Sequence, residues 1–567
     1  MNRPAIFGQV SWEPMKSKAE KQLGPEHISS IHFFASVNAD HLSIGQADVS
    51  CANGYWAALT GRVLNWSNLE PGQNSDPPAD RFCLPKEDLL PLLKEITGEF
   101  AVVVWDETAK TLHLAKDHLG TRPLFYVEVV GGVYFSGDPR KLLPYCENPN
   151  DLFSPKVVDY LTAQCGPHST RTPISEIYRV EPGTLVTITN KDKTIERYWS
   201  PNDAKNLRNV SETEIYDLGR STFQRVIEDR LAFDDRQAVH VSGGLDSSLI
   251  ACEVVKQAKV SGVSLPAAVS WQPKGAKGNL ARDQHFIEEL ADHLGLDVKG
   301  SEDRVSDHLD ALNLDPMSMP QSLELPLEIA AQRSLEAFRP TLVFSGWGGD
   351  HGISCAGRSW KRALIPIWLQ RVWSKIAIGK SQEKASFISG NYTAGTPNQI
   401  LTHGQSVRNS QIAMLTLGHV QERMECWTIF FAARNIHFTF PMLDKRLIEF
   451  ALGVPPKFYR KDGLNRNLIR QISKGIVPDA QRLRADKSDP ARFEATIQAS
   501  SQAAPEIFQR FHEAEKEPQR LAFVQLERLE KEIEETLNKQ TFVRGKLARA
   551  IGFLLHGPIE AEQGHKE

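Results

Sequence analysis

The sequence predicts two domains of different class: a layered, mostly β, α+β domain over residues 1–200 and a doubly wound α/β domain with a parallel sheet over 212–567. Three observations lead there. Short alternating apolar segments, punctuated by Gly, Pro and Asp turns, fill the first two hundred residues. Beyond about residue 212 the pattern changes to short β-branched runs alternating with helical apolar spacing. Between the two lies a polar stretch, Pro201 to Ser211, that reads as a linker.

In the first domain the alternation predicts strands at 31–34, 56–60, 100–105, 111–115, 123–127 and 133–135, with helices near 86–96 and 155–164. In the second, strands are predicted at 237–241, 267–271 and 340–344. Helices are expected at 213–232, with Ile215, Leu218, Phe223 and Ile227 inward, and at 283–294. In such a sheet, ligands gather at the carboxyl ends of the strands. The tail, 505–567, reads as charged amphipathic helix with Leu526, Leu529, Ile533 and Leu537 on one face, and its last residues, 560–567, as frayed.

Composition narrows the function classes. Hydrophobic residues make up 41% and charged residues 24% of 567, as in ordinary soluble domains. A formal net charge of −4, with no long basic run, gives no electrostatic footprint for nucleic acid. The opening residues MNRPAIFGQVSWEPMK lack the apolar core of a signal peptide, and no apolar run reaches membrane-span length, so a cytoplasmic location is expected. The cysteines at 51, 83, 146, 165, 252, 355 and 426 are dispersed without metal-site spacing and read as reduced thiols.

The chemistry concentrates in HVSGGLDSSLI, residues 240–250. A short strand ends at Val241. Ser242, Gly243 and Gly244 make a sharp turn, and Leu245, Leu249, Cys252 and Val255 continue at helical spacing. The N–H groups of such a turn and of the first helical turn form an anion cradle with the positive end of the helix dipole behind it. Asp246 beside phosphates makes sense if Mg²⁺ sits between them. No Lys stands where the GxxxxGK(S/T) phosphate loop requires one. SGGLDS instead resembles the pyrophosphate loop of the ATP-pyrophosphatase superfamily (adenine nucleotide alpha hydrolase-like), which splits ATP to AMP and PPi while activating an oxygen. The resemblance implies that Val241, Ser242, Gly243, Gly244, Asp246, Ser247 and, at the next strand end, Ser270 face the nucleotide.

A second string, SGWGGDHGISCAGRS (345–359), follows the strand at 340–344 and is similar to the SGEGADE segment of asparagine synthetases. The resemblance places Ser345 and Gly346 against the nucleotide and Asp350 opposite Asp246 as the second Mg²⁺ carboxylate. NIHFTFPMLDKRLIEF (435–450) and RNLIRQISKGIVPDAQRLRADKSDP (466–490) resemble two later segments of that family. The second of them implies that Lys487 neutralises the PPi and the tetrahedral oxyanion. The N-terminal third, through ITGEFAVVVWDETAKTLHLAKDHLGTRPLFY (96–126), TGRVLNWSNL (60–69) and GGVYFSGDPRKLL (131–143), is similar to the family's glutaminase domain, an Ntn-type fold. That family's nucleophile is a cysteine directly after the initiator Met. Asn2 stands at this place, Thr60 replaces the Asn of its Asn-Gly pair, and no glutaminase activity is expected.

Trp347 occupies the position of a Glu in asparagine synthetases and a Tyr in β-lactam synthetases, and an indole cannot take a proton. A peptide α-amine, with pKa about 7.7–8.0, has a free-base fraction near neutral pH that a lysine lacks. His351, in place of the family's next Glu, reads equally as a base or as a loop-fixing residue. The combination most resembles the lasso-peptide macrolactam synthetases (lasso cyclases). They adenylate an internal Asp or Glu side chain of a precursor peptide and join it to the peptide's N-terminal amine. The resemblance implies ATP and Mg²⁺, a precursor peptide, a leader peptidase and a small leader-binding protein. The alternatives are a ligase on a small molecule, β-lactam synthetase-like or ammonia-dependent asparagine synthetase-like, and a nucleotide-binding scaffold without catalysis.

Overall fold

The computed structural model describes residues 7–11, 48–69, 79–162, 170–231, 236–273, 284–322, 324–357, 387–389, 406–484, 490–538 and 545–559. The expected strand at 31–34, the frayed end, Asn2, Cys165 and Lys487 lie outside these residues.

The N-terminal half is two stacked antiparallel sheets. One runs in the order β1 (Phe7–Ser11), β7 (Gly132–Ser136), β6 (Phe125–Val129), β8 (Ile177–Arg179). The other runs β10 (Lys193–Arg197), β9 (Thr184–Ile188), β5 (Thr111–Lys116), β4 (Gly98–Asp106), β3 (Tyr55–Val63), β2 (Asp48–Ala52). Strand β4 shows how one run of sequence serves both faces. Ala101, Val103 and Trp105 enter the core between the sheets, while Phe100, Val102 and Val104 face the core on the other side. Helices Lys86–Glu95 and Ser154–Thr162 stand where the sequence places them.

The C-terminal half carries a five-stranded, all-parallel sheet. Its order is β13 (Val298–Gly300), β12 (Ala267–Ser270), β11 (Gln237–His240), β14 (Leu342–Phe344), β15 (His437–Thr439). Both faces are covered, as parallel sheets require. Ala238, Val269, Val343 and Phe438 enter one core and Val239, Ala268, Leu342 and Phe344 the other. The chain leaves β11 first to one side and then, through β14, to the other. The order therefore reverses between β11 and β14, where a doubly wound sheet opens a binding crevice.

Several expectations need correction. The strand predicted at 267–271 stops at Ser270, and the one at 340–344 begins only at Leu342. Helix Glu212–Glu228 buries Ile215, Phe223 and Ile227, but Leu218 is exposed, because its core stripe runs through Gly219 instead. The tail is not one helix: Pro490–Glu513, Pro518–Leu521, Leu526–Asn538 and Gly545–Leu555 succeed one another, and Leu537 faces outward. Among the described cysteines, Cys51 is exposed, Cys146 is half-buried and the other four are buried, all as free thiols.

The halves are joined by paired charges that have left water. Lys116 and Arg179 of the first half both bind Glu425 of the second, at 2.7 and 3.0 Å, all three buried. Glu99 of β4 reaches across to the end of β15. Its Oε1 accepts from the Phe440 N–H at 3.1 Å and the Thr439 hydroxyl at 2.6 Å, and pairs with Arg230, which in turn binds Asp444 at 2.7 Å.

Buried histidines set an acid limit on stability. Burial, with Lys86 nearby, lowers the His113 pKa to about 4, and burial with Arg122 and Arg62 nearby lowers that of His437 to about 3. An unfolded histidine titrates near about 6.5. Between these values the unfolded chain binds protons that the folded chain refuses, so stability is complete above pH 6.5 and falls toward pH 4. Urea midpoints measured from pH 7.5 to 4.5 should drop steadily, and His113→Gln should flatten part of that drop. An equal slope in wild type and variant would remove His113 from this account.

Candidate active site

The two glycine-rich strings meet at the reversal point of the sheet. After β11, Val241 is buried and keeps one more parallel hydrogen bond, its N–H to the Val269 carbonyl at 2.8 Å. Gly243 then takes φ +64°, a left-handed conformation that favours glycine. Gly244 is the N-cap of helix Leu245–Ser261 and supplies no side-chain cap, so the first turn presents its N–H groups to the crevice. The Ser242 and Ser247 hydroxyls lie 2.7 Å apart, and Ser247 Oγ also donates to the Gly244 carbonyl at 3.2 Å. These contacts fix the shape of the loop.

The second string closes on the first by contact of backbones. A Cβ on Gly346 would stand 2.9 Å from Ser247 Cα, and one on Gly349 would collide with the Asp246 carboxylate. Gly348, at φ +98°, makes the turn between them. Glycine at these places is what lets Asp350 come to Asp246. Ser345 is buried, its N–H bonded to the Thr439 carbonyl at 3.0 Å. Ser270, at the carboxyl end of β12, is buried too, and its Oγ accepts from the Gln272 N–H at 3.1 Å. It lines a cavity of about 220 Å³ with Gln272, Pro273 and Gly300, beside the loop and not inside it.

Asp246 and Asp350 converge on one cation. Arg466 Nη2 lies 2.5 Å from Asp246 Oδ2 and 2.9 Å from Asp350 Oδ1, and its Nε donates to the Ser354 carbonyl at 3.0 Å. Burial works against the guanidinium charge, but the two carboxylates outweigh it and raise the pKa. Two carboxylates from two strand ends that share one positive charge fit a divalent ion whose remaining ligands are phosphate oxygens and water. Among the described residues there is no group of three or more His, Cys, Asp or Glu that could hold a metal alone. Arg466 was invisible to sequence reasoning. It sits at φ +58° just before helix Asn467–Ile472, and only the fold brings it here.

Lys487 lies outside the described residues, but the chain leading to it is placed. Arg470 binds the carbonyls of Arg482 and Arg484, and Arg484 Nη1 approaches the Gly243 carbonyl at 3.5 Å. The basic segment thus begins against the phosphate loop.

The other side of the crevice is aromatic. Trp347 is half-buried and packs near His351, His419 and Phe440. Buried Arg423 lies 4.7 Å from the centre of the Trp347 ring and 4.4 Å from that of Trp427. His351 is not solvent-facing. Its Nδ1 meets the Gly348 carbonyl at 3.2 Å and its Nε2 meets His419 Nε2 at 3.3 Å. Burial and His419 lower its pKa to about 4, so it is neutral at pH 7.

A family model described as asparagine synthase matches residues 218–553, more than half of the chain. The chain belongs to the asparagine synthase family. A second model, glutamine amidotransferase domain, matches residues 90–199 of this asparagine synthase-family chain, so its layered N-terminal half is an Ntn-type amidotransferase domain. The chain is 23% identical to asparagine synthetase (glutamine-hydrolyzing) 1 of Bacillus subtilis strain 168, over 75% of this chain and 74% of that one. It is 21% identical to asparagine synthetase B (glutamine-hydrolyzing) of Escherichia coli K12, over 68% of this chain and 59% of that one. It is also 29% identical to amidase chry2 of Gibberella zeae, over 37% of this chain and 32% of that protein. As a member of this family the chain is an asparagine synthetase-like, ATP-dependent amide ligase. No helix among its described residues is long and apolar enough to cross a membrane.

Proposed function

We propose that the chain is a macrolactam synthetase. It adenylates an Asp or Glu side chain of a precursor peptide and joins it to the peptide's N-terminal amine, releasing AMP and PPi. The observation that carries this reading is Trp347. It follows Gly346 on the loop packed against Ser247, with an indole where the resemblance to asparagine synthetases implies a carboxylate. An acceptor amine here receives no proton-accepting side chain from that position, which favours an amine already partly neutral near pH 7.

In this reading the peptide carboxylate attacks the α-phosphorus, the bond to the leaving PPi breaks, and the acyl–AMP forms. The amine then attacks the acyl carbon, AMP leaves with the C–O electron pair, and the amine proton passes to solvent. Gly243, Gly244 and the first turn of helix Leu245–Ser261 hold the phosphates. Asp246 and Asp350 would hold Mg²⁺, which supplies charge neutralisation at the phosphates. Lys487 would assist where charge develops. A leader peptidase and a small leader-binding protein complete the proposed system, and a cytoplasmic location suits its ATP supply.

Lys116, Arg179, Glu425, Glu99 and Arg230 pair across the contact between the halves, which fits a structural role for the first half. A second reading, asparagine formation, is favoured by the names of the relatives and by the matched amidotransferase domain.

PPi release from ATP and Mg²⁺ across a panel of acceptors separates them. Release that depends on a peptide with a free N-terminus and an internal Asp or Glu, with loss of one water from that peptide, is expected. Release that depends on free aspartate with ammonia or glutamine would overturn the macrolactam reading.

A further inference from the structure

A buried carboxylate joins the two strand ends that lead into the site. Glu328, on helix Leu325–Ser334, is fully buried. Its Oε1 accepts from His240 Nε2 at 3.1 Å and from Gln332 Nε2 at 2.6 Å, and its Oε2 accepts from Trp271 Nε1 at 2.8 Å. Gln332 stands one turn further along the same helix. The other two donors come from the sheet. His240 ends β11, immediately before Val241 and Ser242 of the phosphate loop. Trp271 follows the last residue of β12 and stands in the chain between Ser270 and Gln272, which line the cavity beside that loop.

A carboxylate is not needed here to fill space. Burying an anion is costly, and an apolar side chain of similar volume would pack at least as well. Burial works against the Glu328 charge, but His240, Gln332 and Trp271 outweigh it and hold the carboxyl below its ordinary pKa. What the charge secures is geometry. The parallel ladder between β11 and β12 ends where the Val241 N–H meets the Val269 carbonyl. Beyond that bond no strand pairing joins the two segments among the described residues, and Glu328 links their roots through one side chain on each. Because Glu328 is an acceptor, His240 Nε2 carries the proton, which fixes the ring's orientation. Trp427 and Phe438 enclose the same ring at 6.4 and 6.1 Å between centres.

We propose that Glu328 is a positioning residue for ATP: through His240 and Trp271 it sets the phosphate loop and the neighbouring strand end at the spacing at which one nucleotide engages both. PPi engages the loop alone, and AMP engages the site without the pyrophosphate. The spacing therefore matters more to ATP than to either product. In Glu328→Gln an NH₂ group replaces one acceptor oxygen and turns toward an N–H donor, so one of the two links must open.

Isothermal titration calorimetry of the full-length protein with Mg·ATP, Mg·PPi and AMP tests this. No acceptor is present, so the outcome is independent of which amine the enzyme joins. In Glu328→Gln the Kd for Mg·ATP should rise at least about tenfold, while those for Mg·PPi and AMP stay within about threefold of wild type. Trp271→Phe keeps an aromatic ring and removes the N–H, and should show the same pattern more weakly. The two substitutions together should cost less ATP affinity than the sum of each alone, because both break one link. Trp271→Phe decides the matter if Glu328→Gln does not fold. A parallel loss of all three ligands, as local collapse would give, overturns the proposal. So does Mg·ATP binding within about threefold of wild type.

Discussion

Asp246→Asn should lower ATP-dependent PPi release by about a thousandfold or more, or at least about 4 kcal/mol of barrier. Asp246 stands in the first turn of helix Leu245–Ser261, against Gly349 of the second loop, and shares Arg466 with Asp350. Asparagine keeps the shape and removes the charge. The carboxylate pair then loses half of its field at the one point where a divalent ion and the triphosphate must meet. Fold should persist, because the surrounding core, Leu245, Leu249 and Ile250, is untouched. The check is PPi release against Mg²⁺ concentration, with circular dichroism alongside. A folded variant that keeps more than a tenth of wild-type activity at every Mg²⁺ concentration would exclude Asp246 as an ion ligand.

Glu425→Gln should cost about 3–5 kcal/mol of stability, the range for removing one partner from a buried ion pair. Glu425 is fully buried and takes both Lys116 and Arg179. Burial already lowers the pKa of Lys116, and Glu425 is the main group that opposes this. A glutamine leaves two cations in a dry interface with one weak dipole. Urea denaturation reads the loss. The double variant Glu425→Gln with Lys116→Met should recover part of it, since one stranded charge is gone. A single variant within about 0.5 kcal/mol of wild type would mean that water reaches the pair.

Sequence was most informative where function is carried by contiguous residues. SGGLDS and SGWGGD announce themselves because a tight turn at a strand end needs glycine at particular places in one short string. The all-parallel sheet followed from three of its five strands. β13 (Val298–Gly300) and β15 (His437–Thr439), short strands in polar surroundings, were not predicted. Leu218 and Leu537 look inward by spacing alone, but they remain 42% and 41% exposed. Glu99 reads as an ordinary strand residue within GEFAVVVW, and nothing local says that its carboxylate holds the end of β15. Arg466 and Arg423 belong to the same class. Their meaning lies in partners on other segments, and neither propensity nor pattern reaches that far.

Helix Gly418–Ala432 is the feature with the widest reach. Along one side Gln421, Glu422, Glu425 and Thr428 bind Val180, Lys156, Lys116 with Arg179, and Thr121 of the amidotransferase domain. Along the other, His419 and Arg423 pack against Trp347, with Trp427 buried against Arg423. It is a party wall. No alteration on the amidotransferase side can shift that helix without moving the furniture of the room next door. The amidotransferase domain would then bear on the crevice through this helix, as its back support.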